Sequence, residues 1–262
     1  MNIVNFQNIN VAYEDKNVLK NITLSIKEAQ HTAILGANGS GKSTLIKLFS
    51  NDIYPRFAQE MTKEVFGKKI WDIWELKKHL GIITNDLHYE FTARSPWLRG
   101  FDVVMSGFYS SFHIYDHQAF NSLHVKKVEE VLAFLKIEHL SDKPISQMST
   151  GEVRKCIIGR SLVHDPKAMI LDEPTVGLDI KAQMNFVEMM RHIAVERTII
   201  LVTHHLEEIF EEISQIILIK DGMIYKQGKK EEILCDEYLS FVFDTPLHVS
   251  LEKGRYSVKV AI

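Results

Sequence analysis

The sequence predicts an α/β fold, a parallel sheet covered by helices on both faces. Three observations predict it. Short, continuously apolar runs stand at 32–35, 168–171 and 198–202; stretches of helical spacing follow them; and a glycine-rich turn closes the first run. Strands that are apolar throughout are buried on both faces, and crossover helices are what bury them. At 262 residues, 45% hydrophobic and 25% charged, the chain has ample material for a core and none of the composition of a disordered one.

The elements follow in order. Residues 18–26 alternate, with Ile22, Leu24 and Ile26 on one face, as a strand requires. The run at 32–35 stops at the glycine turn, and 41–50 reads as a helix. The segment of about 87–166 carries weak strand signals, whereas Val128, Val131, Leu132 and Leu135 fall at i, i+3, i+4 and i+7. It is therefore expected to be a helical insertion. After 168–171, Ile180, Met184, Val187 and Met190 keep helical spacing, and a helix is expected from about Leu206 after 198–202. Asp221-Gly222 between two apolar runs marks a hairpin. A short helix follows Lys229, and a second hairpin is expected around Lys253-Gly254.

The charge balance, 34 acidic against 31 basic residues, argues against non-specific nucleic-acid binding. Two cysteines, Cys156 and Cys235, form no disulfide framework, which fits a reducing compartment and ordinary buried side chains. The opening MNIVNFQNIN has no basic segment leading into an apolar core, and no run approaches the roughly 20 residues of a membrane span. A soluble, cytosolic protein is expected.

Residues 36–43, Gly-Ala-Asn-Gly-Ser-Gly-Lys-Ser, fit G-x-x-x-x-G-K-[ST] between an apolar strand and a helix. A chance match in this length has odds of about one in a hundred, before that context is counted. Glycines let successive N–H groups converge on an anion, and the helix N-terminus adds its dipole. Gly36, Ala37, Asn38, Gly39, Ser40, Gly41, Lys42, Ser43 and Thr44 are therefore the expected nucleoside-triphosphate cradle. Lys42 would reach the β- and γ-phosphates and Ser43 would ligate Mg²⁺. Asp172 and Glu173 end the apolar run at 168–171, where ligands gather in open α/β sheets. Asp172 is the expected Mg²⁺ partner and Glu173 the expected base for the attacking water.

Ser149-Thr150-Gly151-Glu152 lies before these acids and opens an apparent helix. Together with the loop and the carboxylates it resembles the signature of the ATP-binding cassette family, although Thr150 and Glu152 depart from the usual LSGGQ. Ser149-x-x-Glu152 is also a capping box, and the two roles are compatible. The resemblance spans about residues 2–228. It implies a P-loop NTPase (RecA-like) core, an N-terminal antiparallel β subdomain, an inserted α-helical subdomain at about 87–166, and a short tail at 229–262. It implies that Ser149 and Gly151 hold a γ-phosphate, that Tyr13 stacks on adenine, that Asp179 belongs to the D-loop, and that His204 is the switch histidine. The glutamine of the family's Q-loop is here Asn85, one methylene shorter; a contact to nucleotide or Mg²⁺ is carried over to it with the coupling to a membrane partner. Trp71-Asp72-Ile73-Trp74, the segment from Thr203 and the tail from Tyr238 are similar to the ModF-like branch associated with molybdate; iron-siderophore and other metal-uptake ATPases are the alternatives.

The function this implies is an ATPase: the ATP-binding and ATP-hydrolysing subunit of a transporter. Its cofactors would be ATP and Mg²⁺. Its partners would be a second copy of itself and separate transmembrane permease subunits, with no nucleic acid, on the inner face of the cell membrane. A soluble switch acting on ribosomes or nucleic acid is the alternative, but those cassettes carry basic patches or long coiled-coil insertions that this chain lacks. A small-molecule kinase would need an acceptor lid in place of the signature helix. His113 and His117 would share a helix face at i, i+4, yet they lack a clear third ligand for a metal. The aromatic stretch Phe101, Phe108, Tyr109, Phe112, Tyr115 and Phe120 either packs within the helical lobe or offers the permease a surface.

Overall fold

A computed structural model describes residues 1–14, 16–115 and 117–261. Strands β1 (Asn2–Tyr13) and β2 (Lys16–Lys27) open the chain, followed by β3 (Thr32–Leu35), α1 (Lys42–Phe49), β4 (Thr62–Val65), α2 (Ile73–His79) and β5 (Leu80–Ile83). A helical stretch comes next: α3 (Asn85–Arg94), α4 (Gly100–Met105), α5 (Ser122–Phe134) and α6 (Thr150–Leu162). The chain returns to the sheet through β6 (Ala168–Asp172), α7 (Ile180–Ala194), β7 (Thr198–Thr203), β8 (Gln215–Lys220) and β9 (Met223–Lys229). It ends with α8 (Lys230–Ile233), α9 (Asp236–Phe243), β10 (Leu247–Glu252) and β11 (Arg255–Val260).

The main sheet has the order β5-β6-β7-β3-β8-β9, parallel except for the β8–β9 hairpin at its edge. Every residue of β3 and β7 is buried, as continuous apolar runs demand. The N-terminal strands make a separate antiparallel sheet, β2-β1-β4, whose inner face buries Ile22, Leu24 and Ile26 as the alternation predicts. Both two-residue hairpin turns form with left-handed backbone at Asp221-Gly222 and Lys253-Gly254, the twist that flanking strands need. Among the described residues, no helix is long and apolar enough to cross a membrane.

Two expectations fail. The segment from Leu206 forms one turn of 3-10 helix, Leu206–Glu208, and not a longer helix. Leu206, Ile209, Phe210 and Ile213 have helical spacing and are buried, but successive turn bonds (Ile209 N to Leu206 O, Ile213 N to Phe210 O) achieve that burial. The helix expected from Ile180 does form, as α7; its core face is Phe186, Met190, Ile193 and Ala194, while Ile180 and Met184 are exposed. His113 and His117 lie in irregular chain and not on a helix, and the described residues hold no cluster of metal-ligating side chains. Asp116, between them in sequence, lies outside the described residues. The aromatic stretch divides: Phe101, Phe108 and Phe120 pack against the core, while Tyr109, Phe112 and Tyr115 are exposed.

Candidate nucleotide site

The loop at 36–41 leaves the C-terminal end of β3, the strand flanked on both sides by parallel neighbours. Its shape depends on absent side chains. A Cβ on Gly36 would lie 2.4 Å from the Ile219 carbonyl oxygen, and Gly41, at φ 108°, caps α1 where a Cβ would meet Leu19. The β8–β9 turn braces the loop from outside, the Gly222 N–H donating to the Ser40 carbonyl at 3.0 Å. Lys42 is buried and folds back over the loop, donating to the carbonyls of Gly36 (2.8 Å) and Ala37 (3.1 Å). Burial holds its pKa below the usual lysine value, opposed by the charges of Glu173 and Asp172.

The two acids diverge as the strand ends. Asp172 stays in the cleft, where burial and then the neighbouring Glu173 push its pKa up to about 6. Glu173 has left-handed backbone (φ 47°) and places its Oε1 2.7 Å from Nδ1 of His204, at the end of β7. The base and the histidine assigned to the attacking water are thus in direct contact, although they stand 31 residues apart.

A cleft of about 760 Å³ runs from the loop across the sheet edge to the helical lobe. Asn38, Gly39, Gly41, Lys42, Ser43, Thr44, Asn85, Asp172 and Glu173 all line it. Tyr13, Ser149, Gly151 and Asp179 do not. Tyr13 is 45% exposed at the end of β1, opposite Lys16. Ser149 is exposed and caps α6, its side chain accepting from Glu152 N while Glu152 accepts from Ser149 N, so the capping box forms as predicted. Lys143 pairs with Glu152 at 3.0 Å and, with those cap bonds, keeps its carboxyl below the usual range. Asp179 caps α7, accepting from Ala182 N at 2.7 Å. Gly151 sits beside Leu178 and Ala182, so signature and D-loop adjoin on one outer face.

The cleft suits a triphosphate and a hard cation. Ser40 Oγ is buried with no partner among the described residues, Ser43 is exposed at the start of α1, and Asp172 holds a carboxylate whose charge is costly to bury there, a cost that a cation would relieve. Asn85 is engaged within the chain: its Oδ1 accepts from Arg154 Nη2 at 2.9 Å, a bond that uses one of the two lone pairs of that oxygen.

Residues 19–176 match the family model described as ABC transporter. The chain belongs to the ABC transporter ATP-binding family. It is 30% identical to an ABC transporter ATP-binding protein of Streptococcus mutans over 99% of both chains. It is 33% identical to ModF of Escherichia coli over 82% of this chain and 44% of ModF. The solved structure of CbiO1 from Clostridium perfringens, part of the transporter complex CbiONQ, superposes with a TM-score of 0.76 at 28% identity over 91% of this chain and 92% of that one. This cassette is an ATPase subunit of a transporter with the α/β core, antiparallel subdomain and helical insertion of its family.

Sequence reasoning missed three residues around this site. Arg154 and Glu208 are charged and buried, and Thr175 is buried on the loop that carries Glu173. Glu208 Oε1 accepts from Thr175 N (3.0 Å) and from its hydroxyl. The available signal was Arg154 itself, a charge set among Val153, Cys156 and Ile157 on the inward face of α6. Glu208 gave none, since it follows another acid, Glu207, as a solvated residue would. Cys156 is buried and its thiol is pushed up to about 12 by burial, which makes it inert.

Proposed function

We propose that this chain hydrolyses ATP as half of a two-site sandwich, with a second copy of itself supplying what its own cleft lacks. The observation that supports this most is that Ser149 is exposed and outside the cleft that holds Lys42, Ser43 and Glu173. One chain would hold the triphosphate with residues 36–44, and the partner would close the site with Ser149 and Gly151. Tyr13, exposed at the rim, would lie on the adenine. Mg²⁺, held by Ser43 and Asp172, would neutralise charge on the β- and γ-phosphate oxygens. Lys42 would exchange its two loop carbonyls for phosphate oxygens. Glu173 would accept a proton from the attacking water while His204, bonded to Oε1, keeps that carboxylate aimed. Closure and reopening would then drive separate permease subunits at the membrane's inner face, through a surface of the helical lobe that includes the exposed Tyr109, Phe112 and Tyr115. The identity with ModF supports the ModF-like branch.

Glu173→Gln tests the reading. The variant should bind ATP, lose at least about 100-fold in turnover, and accumulate as an ATP-dependent dimer on sizing. Full turnover in the variant would remove Glu173 from the role of base.

A further inference from the structure

Arg154 lies where four parts of the cassette meet. It projects from the second turn of α6, the helix that Ser149 caps, yet it contacts neither the cleft nor solvent. Nη2 donates to Asn85 Oδ1 at 2.9 Å, and Nη1 donates to the carbonyl of Pro174, the residue after Glu173. Burial lowers the Arg154 pKa, and the charge of Glu208, four residues beyond His204, opposes that shift without a direct ion pair among the described residues. His88, one turn along α3 from Asn85, is half-buried, and burial and then the charge of Arg154 lower its pKa. A single planar fork therefore ties α6 to the first turn of α3 and to the loop bearing Glu173.

We infer that Arg154 is a positioning residue that locks the helical lobe to the catalytic loop and orients the Asn85 side chain. Arg154 holds one lone pair of the Asn85 oxygen, which fixes the plane of that amide at the edge of the cleft. The shorter side chain belongs to this arrangement: Asn85 acts as a strut between lobe and core. Lysine cannot replace Arg154, since an ammonium is a single point and the two acceptors lie on different segments. Movement of α6 relative to the core would pull on the Pro174 carbonyl and hence on the placement of Glu173. ATP held by residues 36–44 would feel little of it.

This inference rests on the site proposed above, and the test separates the two. Turnover and the affinity of a fluorescent ATP analogue are measured for Arg154→Lys and Asn85→Leu, alongside Glu173→Gln in the same full chain. Asn85→Leu removes the acceptor and leaves Arg154 facing Pro174 and Glu208, so it guards against simple unfolding of an Arg154 variant. Expected are a kcat about 10-fold or more below wild type for both variants and an analogue affinity within about twofold for Arg154→Lys, whose side chain does not line the cleft. Wild-type kcat in Arg154→Lys or Asn85→Leu, while Glu173→Gln is inactive, overturns the inference and leaves the site standing. Loss of analogue affinity with unchanged kcat also overturns it. Full turnover in Glu173→Gln would instead overturn the site itself.

Discussion

Asp172→Asn should make the nucleotide-free protein more stable while removing its cation site. The carboxyl sits in the cleft with its pKa raised from 3.8 to about 6, burial being the larger cause and Glu173 the next. A raised acid pKa means that the folded chain binds the proton more tightly than the unfolded one. Between about pH 4 and 6 the folded state therefore holds more protons, and stability falls as pH rises through that window. Above it, the ionised group costs the fold about 3 kcal/mol, at 1.36 kcal/mol for each pKa unit. Asparagine has the same shape and no charge. At pH 7.5 in EDTA the variant should melt several degrees above wild type, given about 2–4 °C per kcal/mol for a chain of this size. At pH 4 the difference should close, because wild-type Asp172 is then protonated too. Thermal melts of both proteins across pH 4–8 measure this directly. A variant no more stable than wild type at pH 7.5, or a gap of constant size down to pH 4, would refute the electrostatic account of this residue.

Other consequences are as definite. Lys42→Ala leaves the fold intact but removes a charged donor from the triphosphate, so ATP affinity should fall by about 10–100-fold, as a charge-assisted hydrogen bond of about 1.5–3 kcal/mol implies; titration calorimetry reads it. Gly36→Ala drives a methyl to 2.4 Å from the Ile219 carbonyl oxygen and into Ser40, so the loop must shift. It should lower stability by about 1–3 kcal/mol in urea melts and abolish nucleotide binding, whereas Gly39→Ala, with open space at its Cβ, should bind better than Gly36→Ala despite its left-handed φ of 79°.

Much of this molecule is legible in the chain because its signals are local. The apolar runs at 32–35 and 168–171 are strands for the same reason they are buried, and the loop at 36–43 is both a motif and a shape. The Asp221-Gly222 turn was equally plain, although its support of Ser40 was not, since that contact joins residues far apart in sequence. The failures share a cause. Leu206, Ile209 and Phe210 have the spacing of a helix but reach the core through separate turns, beside a Glu208 drawn inward by Thr175. Likewise the sequence around Asn85 does not announce that Arg154, 69 residues later, donates to its oxygen. Periodicity reports which side chains are buried; it does not report which polar group waits for them.

The central claim is that the signature of one copy closes the cleft of another. A mixture of Ser149→Cys and Asn38→Cys chains, both in the Glu173→Gln background and treated with a short thiol cross-linker, tests it most directly. Both positions are exposed, one outside the cleft and one within the loop. The account predicts a cross-linked species of twice the 30.2 kDa chain mass that appears with ATP and not without it. A mixture that binds ATP yet yields no ATP-dependent cross-link would contradict it.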